Sequence, residues 1–313
     1  MSSSDPRPPV VVVTGPTATG KTPLAIAIAQ RFGGEIVNAD SMQVYRFMDI
    51  GTAKPTPEQR AQVAHHLLDV VTPDVNYSAG RYAEAVHKVA AAIHARGRVT
   101  ILAGGTGLYI RAVTEGLIPT GPPDETLRAE IEAEQAEASA TGDPHRLYRR
   151  LEEMDPEAAR RIHPNDARRI TRALEIAQAG GSASRVRAEH AFGDRRYRVL
   201  HLALDLERAA LDARIDARCK AMIDAGLLQE MRDLAARGYG PELRSMQSIG
   251  YRHMVPVLQG SDILTNALAA MQRDTRRFAR RQRTWLRGVP EKVSVDPRDP
   301  DPIFEKVERF LSA

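Results

Sequence analysis

Cysteine is almost missing: the 313 residues hold one, Cys219. A lone thiol excludes an intramolecular disulfide and any zinc site built on clustered cysteines. In its apolar helical surroundings Cys219 reads as core rather than as a nucleophile. No apolar run approaches the roughly 20 residues of a membrane span, so no membrane association is expected. The opening residues, MSSSDPRPP, lack the basic-then-apolar order of a signal peptide and read as a loose tail over residues 1–9. Nine histidines show no metal-type spacing, and the adjacent pair His65 and His66 would project in different directions. What is left is a soluble, cytoplasmic chain of ordinary composition, 42% hydrophobic and 27% charged.

An excess of either charge is also scarce on average. Forty-four Lys and Arg against 40 Asp and Glu leave only +4. The average conceals a concentration. Residues 267–288, ALAAMQRDTRRFARRQRTWLRG, carry seven arginines and one acid, a local +6, so the rest of the chain sums to −2. The stretch lacks Gly and Pro until Gly288 and is rich in helix formers, which places it on a helix. Positions 273, 276/277, 280/281, 284 and 287 recur at three- and four-residue steps and would line one face. So many cations repel one another unless an anion lies alongside, and a phosphate backbone is the natural candidate. A solvated helix face is the bland alternative. Phe278 and Trp285 fit the core side of such a helix better than a stacking surface.

The N-terminal region is organised around phosphate. Val10–Val13 and Thr14 form a β-branched run of buried-strand type. It leads directly into Gly15-Pro16-Thr17-Ala18-Thr19-Gly20-Lys21-Thr22, which satisfies G-x-x-x-x-G-K-[ST], and a helical pattern follows from Leu24. Backbone N–H groups of such a loop and the helix N-terminus cradle a phosphate chain, Lys21 neutralises it and Thr22 holds Mg²⁺. Pro23 in the first turn gives up no helical hydrogen bond. A second strand, Glu35–Ala39, ends at Asp40-Ser41-Met42-Gln43. A third, Arg98–Ala103, ends at Gly104-Gly105-Thr106-Gly107 and carries no Walker-B aspartate; Asp69 is a weak substitute. Ligands gather at the carboxyl ends of a parallel sheet, so Asp40, Thr106 and the loop share one rim. Asp40 is then suited to metal binding or proton abstraction, or it merely caps a helix.

The segments GPTATGKT, NADSMQVYR, MDIGTAKP, GGTGLY, HPNDARR, SIGYR and TRRFARRQRTWLR, in this order from Gly15 to Arg287, resemble bacterial tRNA dimethylallyltransferases. The resemblance spans nearly the whole chain. It implies an α/β fold, a P-loop NTPase-like parallel sheet flanked by helices with an all-α insertion. It also implies transfer of a dimethylallyl group from dimethylallyl diphosphate, rather than phosphoryl transfer from ATP, to N6 of the adenine immediately 3′ of the anticodon in tRNA. Diphosphate is released, with Mg²⁺ as cofactor. By the same resemblance Gly15–Thr22 bind the diphosphate, Asp40 is the general base, and Lys21, Thr22 and one of Arg214 and Arg218 serve the diphosphate. Those two arginines are four residues apart on one helix face, and the choice between them stays open. For tRNA the resembling positions are Asp40, Ser41, Met42, Gln43, Thr106, Arg128, Asn165, Asp166, Ala167, Arg168, Arg169, Gln247, Ser248, Ile249, Gly250, Tyr251 and Arg252. Arg280, Arg281, Gln282, Arg283, Thr284, Trp285, Leu286 and Arg287 complete them. Asn165 and Asp166 are also good helix caps.

The expected organisation is a tail at 1–9, the first part of the core at 10–118, a helical insertion at 119–190 gripping the anticodon stem-loop, and the rest of the core at 191–313. The molecule is expected to act as a monomer. Two other activities fit a P-loop: a small-molecule or nucleotide kinase, and prenylation of AMP or ADP. Neither has a use for the arginine helix. An RNA-binding switch without chemistry has no use for Asp40.

Overall fold

Four consecutive valines leave the backbone little choice but an extended conformation, because branching at Cβ restricts χ1 and suits a pleated surface. They form β1 (Pro9–Thr14), in which Val11, Val12 and Val13 are inaccessible to solvent. A strand buried on both faces belongs at the centre of a parallel sheet. In the computed structural model, which describes residues 5–117, 125–178, 181–183 and 195–313, β1 is central. It pairs in parallel with β4 (Val99–Gly104) on one side and β5 (Arg198–Leu204) on the other. With β2 (Gly34–Asn38), β3 (His65–His66) and β6 (Val293–Val295) the sheet runs β3-β2-β4-β1-β5-β6, all parallel. The expected strands are present with their ends shifted by a residue or so. The two-residue β3 carries no sequence signal of its own.

Helix α1 (Lys21–Phe32) packs Leu24 and Ile28 against Val11, Val13 and Ile36 of the sheet. After β2 the chain runs through α2 (Pro57–Gln62) to edge strand β3, and α3 (Ala79–Ala95) returns it to β4. Helix α4 (Gly107–Thr114) follows β4 directly. Because all strands are parallel, the turns after β1, β2, β4 and β5 lie along one edge of the sheet.

The chain divides into two compact units, Gly116–Asp194 being the smaller. The regular elements among its described residues are helices: α5 (Glu125–Ala140), α6 (Arg146–Met154), α7 (Pro156–Arg161) and α8 (Ala167–Gln178). They enclose a core of their own around Ile131, Leu147, Leu151, Ile170 and Leu174. Buried Glu175 ties α5 to α8 through Arg128, whose Nε donates to it at 2.7 Å. The boundaries expected at 118/119 and 190/191 lie outside the described residues, as do residues 1–4 of the tail. Pro9, expected in the tail, is already strand.

The rest of the larger unit is α9 (Arg208–Asp224), α10 (Leu227–Ala236), α11 (Tyr251–Leu258), the arginine helix α12 (Leu264–Arg287) and α13 (Asp301–Ser312). Helix α12 turns Ala267, Met271, Thr275, Ala279, Gln282 and Leu286 inward, a stripe at three- and four-residue steps. Cys219 of α9 is buried against it, with Sγ 3.7 Å from the Thr275 hydroxyl. It is a core residue, as its setting suggests.

Candidate active site

The loop between β1 and α1 is folded tightly on itself. A Cβ on Gly15 would come within 2.6 Å of the Leu204 carbonyl oxygen, so only glycine lets the loop lie against the end of β5. Gly20 adopts a left-handed conformation, φ 97°, as it caps α1. The Thr19 hydroxyl donates to the Pro16 carbonyl at 2.8 Å. Lys21 Nζ donates to the carbonyls of Gly15 at 3.1 Å and Pro16 at 2.8 Å. Burial and the nearby positive charge of Arg218 pull the Lys21 pKa down to about 8, with Asp40 acting the other way. A cation lowered by burial and by a neighbouring cation gains from an anion brought between them.

The partner cation resolves a choice the sequence leaves open. Arg214 is exposed on α9, whereas Arg218 reaches the loop and donates through Nη2 to the Thr17 hydroxyl. Its Nε is buried without a hydrogen-bond partner, and burial lowers its pKa. A buried guanidinium N–H left without a partner beside the β1–α1 loop is available to a ligand oxygen.

Asp40 stands on the same rim but caps no helix. Its Oδ1 accepts from the Met42 N–H at 2.9 Å in a tight turn, while its own N–H donates to Asn38 Oδ1 at 2.9 Å. Asn38 is held by the Tyr82 hydroxyl, which donates to its carbonyl at 2.7 Å. Thr106 is tied to the same turn: its hydroxyl accepts from the Ser41 N–H at 2.9 Å and donates to Ser41 Oγ at 3.2 Å. Gln43 donates to the carbonyls of Thr52 and Ala53. Asp69, by contrast, is bound to Lys54 at 2.7 Å and Arg60 at 3.0 Å, which leaves it no Walker-B role.

The arginine helix does not present a single basic face. Arg273, Arg277, Arg280, Arg281 and Arg287 are exposed, but Arg276 and Arg283 turn inward and pair with Asp216 and Asp205. Asp274 serves Arg252 at 2.6 Å and lies near Arg273 and Arg277. Protein carboxylates therefore relieve part of the repulsion that α12's sequence suggests. Arg280, Arg283 and Arg287, with Arg208 and Lys292, line a cavity of about 710 Å³ at the ends of β5 and β6.

Four positions expected at the RNA surface, Gly250, Tyr251, Gln282 and Leu286, are instead internal. Gln282 is 8% exposed; its Oε1 accepts from the Thr17 N–H at 2.8 Å and its Nε2 donates to the Gly105 carbonyl at 3.0 Å. Leu286 is buried in the apolar stripe. Tyr251 is fully buried and donates to Glu230 at 2.7 Å. That carboxylate also accepts the N–H groups of Asp49, Ile50 and Gly51, so SIGYR and MDIGTAKP meet as one structural lock. Trp285 is half-buried over Gly107, where a Cβ would come within 2.3 Å of the indole. Asn165, Ala167, Arg168 and Arg169 are exposed at the start of α8, and Asp166 caps it by accepting from the Arg169 N–H at 3.2 Å. Gln247 and Arg252 are exposed, Ser248 and Ile249 half-buried, and Gly250 buried. Glu230 and the inward role of Gln282 were the functional features that motif spacing missed. A polar residue inside the apolar stripe of α12 was the available signal for the second.

The family model for IPP transferase matches residues 43–289. The chain belongs to the IPP transferase family. Within it the chain is 47% identical over 307 residues to the tRNA dimethylallyltransferase of Desulfosudis oleivorans, covering 97% of this chain and 96% of that protein. It is 50% identical over 301 residues to the enzyme of that name from Anaeromyxobacter dehalogenans, covering 96% and 99%. The crystal structure of full-length tRNA isopentenylpyrophosphate transferase from Bacillus halodurans superposes with a TM-score of 0.70 at 36% identity, over 98% of this chain and 96% of that one. A eukaryotic dimethylallyltransferase captured acting on tRNA superposes with a TM-score of 0.82 at 27% identity, covering 97% and 80%.

Proposed function

We propose that this chain transfers the dimethylallyl group of dimethylallyl diphosphate to N6 of the adenine immediately 3′ of the anticodon in tRNA. The carrying observation is that Lys21 and Arg218 both bind the β1–α1 loop, with the Asp40 charge near enough to act on both, in a member of the IPP transferase family. Breaking the allylic C–O bond builds negative charge on the diphosphate. The loop amides, Lys21 and Arg218 meet that charge without reorganising, the effect that preorganised donors supply. The adenine amine forms the new C–N bond and loses a proton, which the Asp40 carboxylate accepts. Balance requires one diphosphate and one proton released per isopentenyladenosine.

Among the described residues no group of three or more His, Cys, Asp or Glu side chains is placed to hold a metal. That fits magnesium, which is held largely by substrate phosphates and water with one or two protein oxygens. The half-buried Thr22 hydroxyl at the start of α1 is the oxygen that would hold it. Bound there, Mg²⁺ would neutralise charge on the departing diphosphate.

The tRNA reading draws support from the exposed Arg280, Arg281 and Arg287 on α12 and from Asn165, Arg168 and Arg169 on α8. The proposal includes a cytoplasmic setting, with which a tRNA substrate is consistent. The direct test incubates unmodified anticodon stem-loop RNA with dimethylallyl diphosphate and Mg²⁺ and looks for isopentenyladenosine next to the anticodon. Transfer to AMP but not to RNA overturns the tRNA reading, and phosphoryl transfer from ATP overturns prenylation.

A further inference from the structure

Gln282 is the one amide in the inward stripe of α12, and both ends of it are used. Its carbonyl oxygen takes the N–H of Thr17, in the middle of the phosphate loop. Its amino group reaches the carbonyl of Gly105, one residue before Thr106, whose hydroxyl holds the Ser41 N–H beside Asp40. Gly105 has no room for a side chain there, since a Cβ would lie 2.4 Å from Gln282 Nε2. Thr17 is gripped a second time through its hydroxyl by Arg218.

We propose that Gln282 is a positioning residue that sets the distance between the leaving-group half of the site and the acceptor half. The inference rests on the prenyltransferase reading. The phosphate loop holds the diphosphate end; the Asp40–Ser41–Thr106 turn holds the base. The two are the ends of different strands, β1 on one side and β2 and β4 on the other, and Gln282 bridges them through both of its polar atoms. Attack on carbon needs the reacting atoms aligned within a few tenths of an ångström, and a misplacement of about 1 Å costs on the order of 10²-fold in rate. Because Gln282 rides on the arginine helix, RNA seated on Arg280 or Arg281 bears on the same strut.

The test compares wild type with Gln282→Met, which keeps the volume and removes both hydrogen bonds. Expected is a roughly 10–100-fold lower single-turnover rate at saturating substrates, with tRNA affinity by filter binding unchanged within about twofold. Weaker tRNA binding with an unchanged saturated rate makes Gln282 an RNA contact and overturns the proposal. So does a wild-type rate. Gln282→Glu adds a readout that a purely structural role would not move. Protonated, the introduced carboxyl donates to Gly105 and accepts from Thr17; ionised, it still accepts from Thr17 but can no longer donate to the Gly105 carbonyl. Its rate relative to wild type should fall as pH rises through the pKa of that carboxyl, and a flat ratio overturns the proposal. Should wild type make no prenylated RNA, the reading of function falls. Binding of inorganic diphosphate then decides the residue: a several-fold loss in Gln282→Met supports the strut, and equal affinity overturns it.

Discussion

Asp40 uses one carboxylate oxygen to accept the Met42 N–H, so the turn fixes the group while the second oxygen can take a proton. Asp40→Asn preserves shape and should lower the single-turnover rate by roughly 10²–10⁴-fold, with tRNA affinity by filter binding changed only a few-fold. Lys21 predicts a pH dependence with a definite sign. Its pKa lies near 8 in the free protein, and a bound diphosphate raises it. Affinity for the diphosphate is therefore fully present below about pH 8 and is lost as pH rises above it. KM for dimethylallyl diphosphate, measured from pH 7 to 10, should climb above pH 8, and Lys21→Arg should flatten the climb. The two arginines of α9 separate cleanly: Arg218→Ala should cost roughly 10²–10³-fold in rate, the worth of one preorganised donor, while exposed Arg214→Ala should leave it nearly unchanged.

Helix α12 shows why an element cannot be assigned one role from its composition. Its inner stripe builds the core and braces the catalytic loop, Arg276 and Arg283 bind carboxylates of the protein, and Arg280, Arg281 and Arg287 remain outward. Replacing Arg280 and Arg281 together by Gln should weaken tRNA binding and reduce the slope of log K against log salt by about 1–2, as two lost phosphate contacts require. Titrating RNA binding between 50 and 200 mM salt measures it. At the α10–α11 contact, Glu230 gathers three backbone N–H groups and the Tyr251 hydroxyl. Glu230→Ala leaves them without their acceptor and should cost about 1–3 kcal/mol, read from the urea midpoint at unchanged slope.

At the scale of the molecule, the helical unit within Gly116–Asp194 encloses its own apolar core. Replacing it by a short Gly/Ser linker should leave the α/β unit folded and able to bind inorganic diphosphate, while tRNA affinity falls at least about tenfold for want of the Asn165–Arg169 surface. Calorimetry with diphosphate and filter binding with tRNA separate the two outcomes. The sequence by itself determined the central strand, the phosphate loop, the carboxyl-end rim and the existence of the basic helix, because each rests on local periodicity or on a contiguous motif. Tertiary structure alone decided which cations are free, why Arg218 and not Arg214 meets the loop, and that Gln282 and Tyr251 face inward. Those outcomes depend on partners between 21 and 265 residues away in the chain. A side chain's role is set by whichever donor or acceptor the fold brings within about 3 Å of it, and no spacing along the chain encodes that.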